Sequence, residues 1–259
     1  MRMKSGEPVE SNEKTLKEYG FREARMNERT AIVTGSTSGI GREVAMGLLE
    51  EGYTVLVTGR RQALLEHLLE EARKNHLKAI SHVADLSTEE GILSLIRKGQ
   101  SAFPHVDILV NNAGGLVFAP IEKITDKDYE TLMSVNLRAP FLLSRAFLPE
   151  MKKRGSGLIV NISSVAGTEA WEGSSLYSMT KFALRGLTGS LLAEGAPHGV
   201  KAFAICPGYV ATPMVSGAPV PVAEMIQPND ILKTIRYVRD LSPYAVSPEI
   251  LLNRLGAFT

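Results

Sequence analysis

Seven short runs of apolar and β-branched residues, most of them continuous rather than alternating, constrain this chain more than any other feature. They fall at Thr30–Thr34, Tyr53–Thr58, Lys78–Val83, Val106–Asn111, Gly157–Ile162, Val200–Cys206 and Ile250–Asn253. A strand with one face in water alternates apolar with polar. A strand covered on both faces is apolar throughout, as in a parallel sheet. Helix-length segments separate the runs, among them Gly41–Glu51, Ala63–Asn75, Ser87–Phe103, Asp128–Lys152 and Ser174–Gly195. This alternation predicts an α/β fold, with one doubly wound, mostly parallel seven-stranded sheet in a single domain over residues 29–259. Before the third helix, Ser87 followed three residues later by Glu90 predicts a start capped by Ser87.

Residues 1–28 hold six Lys/Arg and six Asp/Glu and no apolar core, unlike a secretory signal or an acid-poor transit peptide. They are either a short arm with a helix around Glu13–Arg25 or an extension without a role. Elsewhere composition mainly excludes. A net charge of +1 gives no footprint for nucleic acid, and no apolar stretch approaches the roughly 18 residues a membrane helix requires. The five histidines form no HExxH or Cys/His pair, so no metal is expected. The one cysteine, Cys206, ends the apolar run Ala202–Ile205, as a small core residue does. A lone cysteine fits a reducing, cytoplasmic compartment.

The first run leads directly into Thr34-Gly35-Ser36-Thr37-Ser38-Gly39-Ile40-Gly41, after which a helical pattern begins. Glycines let the backbone turn tightly and approach a pyrophosphate, and a helix amino-terminus offers it unpaired N–H groups. The spacing is Gly-x3-Gly-x-Gly rather than GxGxxG, so the position between strand and helix carries the nucleotide reading. In such sites the end of the second strand selects the cofactor: a carboxylate holds a ribose 2′-hydroxyl, an arginine a 2′-phosphate. Here it reads Thr58-Gly59-Arg60-Arg61, with no acid before Glu66. Two guanidinium forks favour NADP(H) over NAD(H), unless both arginines merely open a solvated helix.

The fifth run ends Asn161-Ile162-Ser163-Ser164; Tyr177 follows Ser164 by thirteen residues, and Lys181 follows Tyr177 by four. Four-residue spacing puts Tyr177 and Lys181 on one helix face. A phenol with a pKa of about 10 is a poor base near neutrality. A neighbouring ammonium is expected to lower it toward working pH, and Ser164 to hold a substrate oxygen at the phenol.

These motifs together resemble the short-chain dehydrogenase/reductase family, in order from about Thr30 to Thr212: Thr34–Gly41, Asp85-Leu86, Asn111-Asn112-Ala113-Gly114, Asn136, Ser164, Tyr177/Lys181 and Pro207-Gly208-x3-Thr212. The resemblance implies a Rossmann-type domain in which Tyr177 is the general acid/base and Ser164 orients the substrate. It implies that Lys181 tunes Tyr177 and binds the nicotinamide ribose, while Asn136 holds a water in a proton relay reaching Lys181. It assigns Gly35, Thr37, Ser38, Gly39, Ile40, Gly41, Arg60 and Arg61 to the phosphate end of the cofactor, and Asp85 and Leu86 to the adenine. Asn112, Ala113 and Gly114 then border the adenosine ribose, and Pro207, Gly208, Val210 and Thr212 the nicotinamide end.

Two departures stand out. Many NADP-using members carry a basic residue where this chain has Ser38. The carboxy-terminus lacks the glycine-rich ending of acyl-carrier-protein ketoreductases; Met225–Ile231 and Ser247–Leu251 resemble the tails of small-ketone, hydroxy-acid and pterin-type reductases. The leading expectation is an NADP-dependent carbonyl reductase acting on a small-molecule carbonyl or alcohol. The alternatives are an NAD-dependent alcohol dehydrogenase and a 3-oxoacyl-carrier-protein reductase-like enzyme. Leu116, Val117, Trp171, Tyr209 and Met214 follow the motifs and predict an apolar substrate pocket, although Trp171 also fits plain packing under a loop. In the family, helices matching Asp128–Lys152 and Ser174–Gly195 pair across a dimer interface, so a homotetramer is expected, with a dimer next.

Overall fold

Every apolar run becomes a strand. In the computed structural model, which describes residues 28–257, the strands are β1 (Thr30–Thr34), β2 (Thr54–Gly59), β3 (Ala79–Val83), β4 (Ile108–Asn111), β5 (Gly157–Ile162), β6 (Val200–Pro207) and β7 (Glu249–Leu252). They form one sheet in the order β3-β2-β1-β4-β5-β6-β7. Each neighbouring pair is parallel, so among the described residues the sheet is wholly rather than mostly parallel. The candidate arm lies outside the described residues, apart from Glu28 at its end.

The α-helices among the described residues are α1 (Gly39–Glu50), α2 (Gln62–Lys74), α3 (Glu89–Ala102), α4 (Asp126–Met133), α5 (Ala139–Arg154), α6 (Ser175–Gly195) and α7 (Pro228–Asp240). Successive strand residues point to opposite faces, and the two faces build separate cores. Ala31 and Val33 of β1 pack with Val44, Leu48, Leu65 and Ile235 from α1, α2 and α7. Ile32, between them, packs with Ile92, Leu95, Leu143 and Leu191 from α3, α5 and α6. Burial on both faces is why the runs are continuous. No helix among the described residues is long and apolar enough to cross a membrane. Strand order reverses between β1 and β4, which opens a crevice at the carboxyl ends of these strands.

Two local expectations change. The cap of α3 is Thr88, whose hydroxyl accepts from the Gly91 N–H at 3.1 Å. Ser87 is instead drawn back to Asp85, giving its N–H and its hydroxyl to one carboxylate oxygen at 3.0 and 2.8 Å. The expected helix Asp128–Lys152 begins earlier, at Asp126, because Thr125 and Asp128 form a reciprocal capping box. It is also interrupted by a π-turn over Ser134–Arg138.

Candidate active site

The loops at the carboxyl ends of β1 to β6 carry most of the residues singled out in the sequence, and the π-turn and α6 carry Asn136, Tyr177 and Lys181. After β1 the chain turns into α1, whose amino-terminal residue Ser38 makes no side-chain cap, so the first-turn N–H groups have no partner from it. Gly39 has φ +54°, and a Cβ there would lie 2.8 Å from the Thr212 methyl. A Cβ on Gly41 would run into the Gly35 carbonyl and the Asn112 amide. Asn112 braces the turn from β4, its amide donating to Thr34 O at 2.8 Å and to Gly35 O at 3.3 Å. The Asn112 and Ala113 N–H groups both reach Thr34 Oγ1 at 2.9 Å. Ile40 packs on the core beneath.

Arg61 folds over this turn, donating to Thr37 Oγ1 at 3.2 Å and Ser38 Oγ at 3.4 Å. The charge of Arg60 is felt at Asp85. Burial works against ionisation of Asp85, but the two Ser87 donors and Arg60 together bring its pKa below the ordinary carboxylate value. Leu86 is buried, its carbonyl accepting from Ser134. At the far end, Gly208 N–H bonds Leu252 O at 2.8 Å, and Val210 is buried in an isolated bridge to Ile226. The glycine cradle and the uncapped helix end could hold the pyrophosphate of a dinucleotide, with Arg61 close to the same turn.

Ser164 ends the β5 loop and opens a short turn, Val165–Gly167, accepting from the Ala166 N–H at 3.1 Å. Its hydroxyl donates in turn to Pro207 O, at a long 3.5 Å. Tyr177 and Lys181 occupy consecutive turns of α6. The Lys181 ammonium lies 5.6 Å from the centre of the Tyr177 ring and donates to Ile162 O at 2.9 Å. Burial lowers the Lys181 pKa to about 8. The sequence expectation for Tyr177 is overturned in sign. Burial raises its pKa above 10, and the Ser164 hydroxyl only partly opposes this. A phenolate in a poorly solvated site loses hydration that the lysine, held on the Ile162 carbonyl, does not restore. Beneath Ser163 and Ser164, burial pushes the Cys206 thiol up to about 11, in keeping with a core cysteine.

Asn136 sits in the π-turn, fully buried. Its side chain grips the Gly115 backbone in both directions, accepting from N–H at 2.8 Å and donating to the carbonyl at 3.1 Å. It also donates to Thr180 Oγ1 at 3.0 Å, tying the π-turn to the residue before Lys181. π-turns concentrate at functional sites. Leu116, Trp171, Tyr209 and Met214 are each substantially exposed, and Val117 is half-buried.

Three partners escaped the sequence reading. Gly115 and Thr180 are the groups that hold Asn136. Phe118 is the third: its ring covers Gly173, 3.0 Å from where a Cβ there would sit, and Ala119 N–H bonds Gly173 O at 2.9 Å. These bonds join the loops after β4 and β5 across the cleft. A paired glycine after Asn112-Ala113 was the one visible hint; nothing marked Thr180 or Phe118.

Residues 29–219 match the family model described as short chain dehydrogenase. An uncharacterised oxidoreductase of Bacillus subtilis (strain 168) is 37% identical over 190 residues, covering 73% of this chain and 74% of that protein. Among solved structures, a metagenomic short-chain oxidoreductase in complex with NADP is 31% identical with a TM-score of 0.77, covering 87% of this chain and 96% of that one. A putative NAD(P)-dependent gluconate 5-dehydrogenase from Beutenbergia cavernae, with bound NADP at low occupancy, is 33% identical with a TM-score of 0.78, covering 87% and 94%. Sequence match, parallel sheet and the order of the motifs agree: this chain belongs to the short-chain dehydrogenase family of oxidoreductases.

Proposed function

We propose that the protein reduces an apolar ketone or aldehyde with NADPH, with Tyr177 as the proton donor. The observation that carries this reading is the half-buried Tyr177, whose ring lies 5.6 Å from the buried Lys181 ammonium one helical turn away, with desolvation raising the phenol's pKa and Ser164 acting on it in the opposite direction. Reduced nicotinamide, when bound, supplies the hydride. As negative charge gathers on the substrate oxygen, Tyr177 gives it a proton and Ser164 donates a hydrogen bond that holds it in line. Burial keeps Tyr177 protonated until then. Lys181, mostly cationic at neutral pH with a pKa of about 8, offsets the charge left on the phenolate. Asn136 belongs to a water relay that restores the proton through Lys181. In support, a Cβ built on Gly114 would lie 3.2 Å from Asn136 Oδ1 and 3.8 Å from Lys181 Nζ, so both polar atoms face one small volume that glycine leaves free of side chain.

The contacts of Arg61 with the glycine turn, and the charge of Arg60 felt at Asp85, support NADP(H) over NAD(H), as do the NADP complexes of the two solved relatives. Exposed Leu116, Phe118, Trp171, Tyr209 and Met214, on the loops that follow the motifs, support an apolar, aromatic pocket suited to a hydrophobic carbonyl compound. The proposal extends to a cytoplasmic homotetramer, with a dimer as the alternative. Oxidation of NADPH and NADH, followed by nicotinamide absorbance against a panel of ketones, aldehydes and diketones, tests the reading. NADPH-linked turnover of apolar carbonyls is expected. Clear preference for NADH, with alcohols oxidised instead, would favour an NAD-dependent alcohol dehydrogenase.

A further inference from the structure

Arg185 lies one turn beyond Lys181 on α6, outside every role assigned above. All three arms of its guanidinium are engaged. Nη1 donates to the Gly167 carbonyl, while Nε and Nη2 fork onto the Glu249 carboxylate, Nη2 reaching Oε1 at 2.8 Å. Gly167 is the last residue of the turn that Ser164 opens. Within that turn Ser164 Oγ accepts from Ala166 N–H, and Gly167 N–H returns to the Ser164 carbonyl at 2.9 Å. The position of Ser164 Oγ is therefore set by three residues whose far end Arg185 grips.

The same turn rests directly on the helix of Tyr177. A Cβ on Gly167 would lie 2.9 Å from the Lys181 carbonyl carbon and oxygen, and Ser163 Oγ donates to that oxygen at 3.0 Å. Glu249 belongs to β7, in register with Ala204 of β6. Arg185 thus spans three elements: the Ser164 turn, the Tyr177 helix and the sheet edge. About a third of each side chain of the Arg185–Glu249 pair is exposed, 29% and 31%, and a pair so open to water adds little stability. What the planar fork adds is direction, which a lysine cannot reproduce.

We infer that Arg185 is a positioning residue: by clamping the Gly167 carbonyl against Glu249, it keeps the Ser164 hydroxyl registered on Tyr177 and the substrate oxygen. This rests on the proposed roles of Ser164 and Tyr177. The test compares Arg185→Lys and Arg185→Met with the unaltered full chain for NADPH affinity by fluorescence titration, carbonyl KM, kcat and melting temperature. A displacement of about 1 Å in such a group lowers turnover by up to about 100-fold. Both variants should hold NADPH within about twofold of the parent and lose roughly 10- to 100-fold in kcat. Arg185→Lys, which keeps the ion pair, should melt near the parent and still lack kcat. If kcat in Arg185→Lys recovers with its melting temperature, the residue is merely structural and the inference falls. Parental kcat in Arg185→Met also overturns it; should that variant fail to fold, the lysine variant alone decides. Tyr177→Phe, assayed alongside, separates the two levels. Turnover by that variant refutes the underlying proton-donor reading, whereas an inactive Tyr177→Phe with fully active Arg185 variants refutes only the positioning role.

Discussion

Tyr177 and Lys181 sit one turn apart on α6, yet the phenol is held above its ordinary pKa rather than below it. The spacing predicts proximity correctly, but the balance of desolvation against charge depends on what surrounds the pair. Burial acts on both groups in the direction of neutrality, raising the tyrosine and bringing the lysine to about 8. For a proton donor this is favourable, since the proton is present when the substrate oxygen needs it. Selection of the cofactor is likewise a matter of single residues. Because Arg61 already reaches Thr37 and Ser38, and the charge of Arg60 is felt at Asp85, the double variant Arg60→Ala/Arg61→Ala should weaken NADPH roughly 10- to 100-fold while leaving NADH within about twofold. Titration of both nucleotides checks this; an unchanged ratio would mean that other groups hold the 2′-phosphate.

Among the elements, the stretch from Asp126 to Arg154 matters most for the site. Its helical periodicity is readable, but the π-turn at Ser134–Arg138 is not, because the turn answers to Asn136 bonding Gly115 and Thr180 from distant segments. The helix start is misjudged at Ser87 for the opposite, local reason. A local Asp85 carboxylate outcompetes the capping role there and leaves it to Thr88. On their outward sides, α5 and α6 leave Phe141, Met179 and Phe182 exposed, and Met133, Leu137, Phe141, Ala183 and Leu187 line a shallow groove of about 720 Å³. A second copy covering these rings accounts for the proposed assembly. Phe141→Asp together with Phe182→Asp should then lower the mass measured by light scattering to that of a smaller species, since each buried charge lacks a partner. Parental mass in that variant would locate the interface elsewhere.

For the molecule as a whole, the sheet and the order of its motifs were legible in the sequence because both follow from constraints on contiguous residues. Strands buried on both faces must be apolar throughout, as Ile32 and Val33 show by packing into opposite cores. The turn Gly35–Gly41 must have glycine where Thr212 and Asn112 approach. What was not legible depends on partners far apart in sequence: the Arg185–Glu249 clamp joins residues 64 positions apart, and Phe118 meets Gly173 across the cleft. The central claim is that Tyr177 supplies the proton. Its most direct test is Tyr177→Phe, read by NADPH titration together with single-turnover reduction of a carbonyl. The account predicts NADPH binding within about twofold of the parent and a fall in turnover of at least about 100-fold, the range of a positioned acid. Turnover comparable to the parent, with the nucleotide bound as before, would contradict it.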